Sequence, residues 1–237
     1  MKWTQTNQKI CVLIPAAGSG SRMRNSVKKP YLNLGGKPIL VHTIGVFDRN
    51  PVIDTIFVIV DAVDFELCRS TVIAPSAFRK VGGLVVGGET RQASVFNGLQ
   101  SLPTDADCVI VHDGVRPFVT DEMIFACVEA ADEWGAAVAA VPAKDTIKVA
   151  STDGFIVDTP DRDKLWAVQT PQAFRASVLR DAHAYAQRER RTATDDAMLV
   201  EQLGYKVKIV SGSESNLKIT TPEDLIIAEA LKREACA

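Results

Sequence analysis

The feature that most constrains this chain is a rhythm. Short apolar runs rich in valine and isoleucine occur at Ile10–Ala16, Thr55–Val60, Gly83–Val86, Cys108–His112 and Ala136–Val141. They lack polar alternation, as strands buried on both faces do. Between them lie segments of helical period, in which Val95, Leu99 and Leu102, or Ile124, Cys127, Val128 and Ala131, recur every three or four positions. Strand and helix in alternation imply one mostly parallel sheet with helices on both faces. A chain of 237 residues can bury a core of that size without disulfides or metal. In such sheets ligands bind beyond the carboxyl ends of the strands, so the residues just after each run matter most.

One stretch breaks the rhythm. From Asp145 to Gln172 the apolar pieces are short, such as Thr146–Val149 and Phe155–Val157, and Ser151-Thr152-Asp153-Gly154 between them has the chemistry of a hairpin turn. A lone hairpin is marginal in water, so one leaving an α/β core is expected to pack on something, and a second subunit is the preferred partner. The helical pattern returns at Ala176–Gln187, followed by a strand at Lys206–Val210. A last helix opens at Thr221-Pro222-Glu223-Asp224, with a capping hydroxyl, proline at the first helical position and acids at the positive end of the dipole.

The 27 basic and 29 acidic residues leave a net charge of −2, which argues against broad nucleic-acid binding. No apolar run approaches the ~20 residues of a membrane helix, and the polar N-terminus has no signal core. Five cysteines without metal-ligand spacing suit a reducing compartment. A cytoplasmic protein that binds neither nucleic acid nor membrane is expected.

The sharpest chemical signal follows the first strand: Pro15-Ala16-Ala17-Gly18-Ser19-Gly20-Ser21-Arg22-Met23. A glycine-rich loop there presents backbone N–H groups to a phosphate, and Arg22 adds a forked cation. A plain turn with a surface arginine fits the glycines about equally well. Met23 replaces the third glycine of the dinucleotide fingerprint, and no Gly-Lys-Ser/Thr follows, so neither well-known phosphate loop is matched. Lys28-Lys29-Pro30-Tyr31 comes next, either a solvated pair or the rest of an anion clamp. Gly87-Gly88-Glu89-Thr90-Arg91-Gln92-Ala93-Ser94 joins a strand to a helix. Glu89 and Ser94 there can bond a base or sugar, and Thr90 reads equally as a helix cap. His112-Asp113-Gly114-Val115-Arg116 ends another strand. Asp113 suits sugar hydroxyls or a metal, or merely an ion pair with Arg116, and His112 reads as a packed histidine. Lys218 lies in apolar company before the last helix, where a lysine usually snorkels.

Taken in order, the strings PAAGSGSRM, GGETRQAS, VHDGVRPF, PAKDTIK, DRDKLWAVQTPQAF, TDDA and NLKITTPEDL resemble the 2-C-methyl-D-erythritol 4-phosphate cytidylyltransferases of the non-mevalonate isoprenoid pathway, over nearly the whole chain. The resemblance implies a Rossmann-like α/β fold of nucleotide-diphospho-sugar transferase type. It implies one domain over 1–237, with a protruding β-arm at about 142–172. It implies transfer of CMP from CTP to methylerythritol phosphate with release of pyrophosphate, and magnesium held mainly by the triphosphate, with no firm protein ligand. Arg22 and Lys29 would stabilise the transition state, and Arg162 and Lys218 would hold the substrate phosphate. Pro15, Ala16, Ala17, Gly18, Gly20, Gly88, Glu89 and Ser94 would cradle the nucleotide. Asp113, Arg116, Thr146, Thr170 and Thr194 would line the polyol pocket. The family is a homodimer whose arm carries Arg162 into the partner's site. The attacking phosphate monoester has a second pKa near 6, so a site rich in Arg and Lys and poor in His suits the task.

Family members usually read Pro-Lys-Gln-Tyr/Phe at the lysine clamp, whereas here Lys28 and Lys29 precede Pro30. Anchoring on Tyr31-Leu32 selects Lys29 and leaves Lys28 as a substitute. Three rivals stand beside this reading. Ribitol-5-phosphate cytidylyltransferases usually show Ala-Gly-Gly at Ala16-Ala17-Gly18 and lack the tryptophan of Leu165-Trp166-Ala167. A regulator that has lost catalysis is opposed by Arg22, Lys29, Arg162 and Lys218. A dinucleotide-dependent reductase is opposed by Met23.

Overall fold

The computed structural model describes residues 8–18 and 28–234. A central sheet of seven strands carries the fold. Its strands are β1 (Ile10–Pro15), β4 (Thr55–Val60), β5 (Val81–Val86), β6 (Cys108–Val111), β7 (Ala136–Pro142), β10 (Trp166–Arg175) and β11 (Lys208–Ser211), in the spatial order β11-β7-β10-β6-β1-β4-β5. Two small hairpins account for the other strands, β2 (Asn33–Leu34) with β3 (Lys37–Pro38), and β8 (Val149–Ala150) with β9 (Ile156–Asp158). The helices are α1 (Ile39–Arg49), the short α2 (Phe65–Cys68), α3 (Arg91–Ser101), α4 (Asp121–Trp134), α5 (Ala176–Arg188), α6 (Asp196–Gln202) and α7 (Pro222–Glu234).

β1 explains the layering. Its side chains alternate between faces, and Ile10, Val12 and Ile14 join Leu40, Ile44 and Phe47 of α1 and Ile124 and Val128 of α4 in one core. Cys11 and Leu13 join Val95 and Leu99 of α3 and Leu179 and Ala182 of α5 in the other. Both faces are therefore dry, as an unalternating apolar run requires. β1 pairs in parallel with β4 and β6, for example Leu13 with Phe57 and with Val111. The chain runs from β1 outward through β4 to β5, then returns to place β6 on the other side. The switch point between β1 and β6 is where a crevice opens in sheets of this kind.

The expected strands and the last helix are present, and the Thr221 cap is reciprocal. Its hydroxyl accepts from the Asp224 N–H, and Asp224 Oδ2 accepts from the Thr221 N–H at 2.9 Å. The stretch expected as an arm over 142–172 divides in two, which corrects its boundary. Residues 143–165 leave the sheet and hold the β8–β9 hairpin, with β8 beginning at Val149 rather than Thr146. Trp166–Arg175 is instead a ten-residue central strand, antiparallel to both β6 and β7. Its ladder to β7 shifts between Val168 and Gln172, where Pro171 has no N–H to contribute and the Thr170–Pro171 peptide is cis. Irregular pairing turns Gln169 and Thr170 out of the ladder and toward the crevice loops.

Candidate active site

A cavity of about 530 Å³ opens at the carboxyl ends of β1, β4, β5 and β6. The loop after β1 supplies Pro15, Ala16, Ala17 and Gly18, and the loop after β5 supplies Gly88, Glu89, Thr90 and Arg91. Lys29, Asp61, Ser94, Asp113, Lys218 and Thr220 complete its polar wall. No histidine lines it among the described residues. Gly20 and Arg22 lie outside the described residues.

The two glycine loops nearly touch. A Cβ on Gly87 would stand 2.9 Å from both Ala17 Cβ and Ser94 Oγ, and one on Gly88 would stand 2.6 Å from Ala93 Cβ. Only glycine lets the backbones approach this closely. Ser94 is buried and its hydroxyl ties the loop to the helix. It accepts from Gly88 N–H at 3.1 Å and donates to the Gly88 carbonyl at 3.3 Å. Thr90 caps α3 by accepting from Ala93 N–H, as its alternative reading held.

Lys28 and Lys29 part ways. Pro30 opens a short turn over Lys29–Tyr31. Lys28 Nζ points to Asp61 and Asp64, 2.6 Å from an oxygen of each. Burial disfavours its charge, but those two carboxylates outweigh burial and raise its pKa. Lys29 is buried against the cavity wall. Adjacent in sequence, one lysine closes an ion triad and the other lines the cavity.

Asp113 is the electrostatic centre. Its Oδ2 lies 2.8 Å from Lys218 Nζ and 3.3 Å from Arg116 Nε, and its Oδ1 lies 3.9 Å from Arg91 Nε. Burial alone would raise its pKa, but Lys218, then Arg91 and Arg116, hold it down at about 2. The turn bearing it is fixed from three sides. Asp113 N–H donates to Thr170 Oγ1 at 3.1 Å. Arg116 Nη1 donates to the Asn216 carbonyl at 2.7 Å, and Asn216 Nδ2 donates to the Thr170 carbonyl at 2.8 Å. His112 Nε2 stands 3.0 Å from the Arg116 carbonyl, and its ring meets Phe47 edge-on at 4.9 Å. Burial lowers its pKa to about 4, so it is neutral and packed at pH 7.

The structure thus gathers Pro15, Ala16, Ala17, Gly18, Lys29, Gly88, Glu89, Ser94, Asp113 and Lys218 around one cavity. Arg116 and Thr170 reach it through Asp113 rather than as wall residues. Three expected residues stand apart within this one chain. Thr146 and Arg162 lie exposed on the 143–165 excursion, where Arg162 Nη1 donates to the Lys144 carbonyl at 3.2 Å. Thr194 is exposed before α6, beside Met198. The excursion carries the first two away from their own cavity because it does not pair with the central sheet. The wall also holds residues that sequence reasoning did not pick out for the site, among them Asp61 just after β4, Arg91 inside GGETRQAS and Thr220 after Lys218. Position after a strand could have flagged Asp61.

Two carboxylates of the cavity wall already face cations, Asp113 three of them and Asp61 Lys28. Among the described residues no group of three or more His, Cys, Asp or Glu is placed to hold a metal ion. That donor set fits a magnesium ion carried by triphosphate oxygens, the usual mode for this cation.

Comparison with known proteins agrees with this geometry. The family model described as 2-C-methyl-D-erythritol 4-phosphate cytidylyltransferase matches residues 10–234. A relative of that name from Syntrophotalea carbinolica is 55% identical over 222 residues, covering 93% of this chain and 95% of its own. One from Geobacter metallireducens is 51% identical over 228 residues, covering 95% and 98%. The crystal structure of 4-diphosphocytidyl-2C-methyl-D-erythritol synthase from Anaerococcus prevotii superposes with a TM-score of 0.85 at 33% identity, covering 95% of this chain and 96% of that one. With a match that spans both cores and all four loops of the cavity, this chain belongs to the 2-C-methyl-D-erythritol 4-phosphate cytidylyltransferase family.

Proposed function

We infer that this chain transfers CMP from CTP to 2-C-methyl-D-erythritol 4-phosphate in isoprenoid precursor synthesis. The observation that carries the reading is the family match over residues 10–234 together with a cavity walled by Lys29, Lys218 and the two glycine loops. A phosphate oxygen of the polyol attacks the α-phosphorus of CTP, a new P–O bond forms, and the bond to the β-phosphate breaks to release pyrophosphate. The nucleophile is already ionised near pH 7. What the protein must supply is positioning and positive charge.

The loops at Ala16–Gly18 and Gly88–Glu89, shaped by Ser94, cradle cytosine and ribose. Arg22 and Lys29 take the triphosphate and stabilise charge at the α-phosphorus. Lys218 holds the substrate phosphate, and Asp113, braced by Arg116 and Thr170, faces the polyol. Magnesium would be held mainly by the triphosphate oxygens and would supply positive charge on the side of the leaving group. A second copy of the chain completes the site, with the excursion of each protomer bringing Arg162 and Thr146 to the other and Thr194 at the rim. Support for that assembly comes from Phe155, Ile156 and Val157, which are 71%, 64% and 62% exposed on β9 and its turn. Apolar side chains so placed need cover. The buried thiols of Cys11, Cys68, Cys108 and Cys127 suit a cytoplasmic enzyme.

The test is pyrophosphate release from CTP and magnesium with methylerythritol phosphate or ribitol 5-phosphate. Turnover with the first, at least a hundred-fold preferred in kcat/KM, is expected. No preference between the two, or no turnover with either, refutes the reading.

A further inference from the structure

Arg91 opens α3 with one side toward the cavity and the other held from behind. Its Nη1 donates to Asp196 Oδ2 at 2.6 Å. The other carboxylate oxygen of Asp196 lies 3.0 Å from His183 Nε2, and both side chains are 1% exposed. A carboxylate oxygen can only accept, so His183 carries a proton on Nε2. Burial opposes ionisation of Asp196, but Arg91 first and then His183 keep its pKa low. The guanidinium is therefore anchored at one end to the start of α6. At its other end Nε faces Asp113 Oδ1 at 3.9 Å, the oxygen that neither Lys218 nor Arg116 approaches in the ion pairs at Oδ2. Three cations thus meet two buried carboxylates.

We propose that Arg91 is a positioning residue of the transfer reaction, pinned by Asp196 and His183 so that it holds Asp113 from the side opposite Lys218 and lets Lys218 give its charge to the substrate phosphate. A buried carboxylate needs its counter-charges. When Lys218 turns to a phosphate, Asp113 keeps Arg116 on one oxygen and Arg91 on the other. Arg91 does not follow the phosphate, because Asp196 retains it. Only a forked, planar cation spans two carboxylates in this way, and a lysine satisfies one. Without Arg91, Asp113 binds Lys218 more tightly and substrate phosphate competes less well. The inference rests on the phosphate-holding role given to Lys218 above.

The experiment is steady-state kinetics on the purified full chain. Arg91→Gln alone strands the buried charge of Asp196 and is expected to unfold easily. The informative variant is therefore Arg91→Gln combined with Asp196→Asn, which replaces the charged pair by two amides. It is expected to melt within a few degrees of the parent, to raise KM for methylerythritol phosphate at least five-fold, and to leave kcat and KM for CTP within about two-fold. Arg91→Lys supplies Asp196 with a cation but not the bridge, and is expected to raise the same KM at least three-fold with the fold intact. Lys218→Met is measured alongside. If it leaves that KM unchanged, the role of Lys218 fails and the inference falls with it. If it raises the KM while the double variant and Arg91→Lys stay within two-fold of the parent, the inference about Arg91 alone is overturned.

Discussion

Replacing Asp113 by asparagine removes one negative charge from a buried site that three cations face, while keeping its shape. The carboxyl's pKa falls from an ordinary 3.8 to about 2 in the folded chain. Each unit of depression is about 1.4 kcal/mol, so ionised Asp113 contributes about 2 kcal/mol to stability at pH 7. A depressed pKa gives stability that is complete above the unfolded value and is lost as pH falls through the folded one. The contribution should be full from about pH 5 upward and near half its size at pH 3. The asparagine side chain cannot ionise, so the gap between parent and variant reports this directly. Urea unfolding of Asp113→Asn, followed at pH 7 and pH 3, is expected to show a loss of about 2 kcal/mol that roughly halves at the lower pH. An equal loss at both pH values would mean that packing or hydrogen bonding dominates. No loss at pH 7 would mean that the three cations do not act on this carboxylate as the distances indicate.

Lys29→Ala is expected to lower kcat/KM at least a hundred-fold. Lys28→Ala should cost less than five-fold in turnover and about 1 kcal/mol in stability, since it leaves Asp61 and Asp64 without their shared cation. The reverse ranking in steady-state kinetics refutes the assignment. Gly98→Ala places a Cβ 2.7 Å from Ile59 Cδ1 and 3.0 Å from Leu13 Cδ2. Both neighbours are fully buried, so α3 must lift and the melting curve should show a loss of about 1–3 kcal/mol. For the dimer proposed above, Phe155→Asp with Val157→Asp is expected to give a monomer in sedimentation, with activity falling at least ten-fold. A variant that stays dimeric and active removes the arm from the interface.

Most of the layered fold was legible, because its signals are local. An unbroken run such as Ile10–Pro15 must be dry on both sides, and it feeds one core with its even residues and the other with its odd ones. β10 was not legible. Trp166–Arg175 carries two glutamines and a proline, and a proline inside a run argues against a central strand. Context reverses that rule here. The ladder breaks where Pro171 sits, and Gln169 is satisfied by Ser213 and Asn216 rather than by a strand.

The site divides along the same line. Residues following a strand in a glycine loop announced themselves, since the chemistry of a phosphate cradle is written in neighbouring letters. Arg91 stood inside such a string and was still passed over, because what fixes it is Asp196, 105 positions away. Anchoring on Tyr31-Leu32 favoured Lys29 but left Lys28 as a substitute for the same reason, since what separates them is the pairing of Lys28 with Asp61 and Asp64. A net charge of −2 hides all of this. Electrostatic work in a site depends on which charges share a buried volume, and around Asp113 and Asp196 three cations share it with two carboxylates. Which charges meet there is set by the packing of α3, α6 and the segment before α7, and on the proposed function an incoming phosphate is what Lys218 answers.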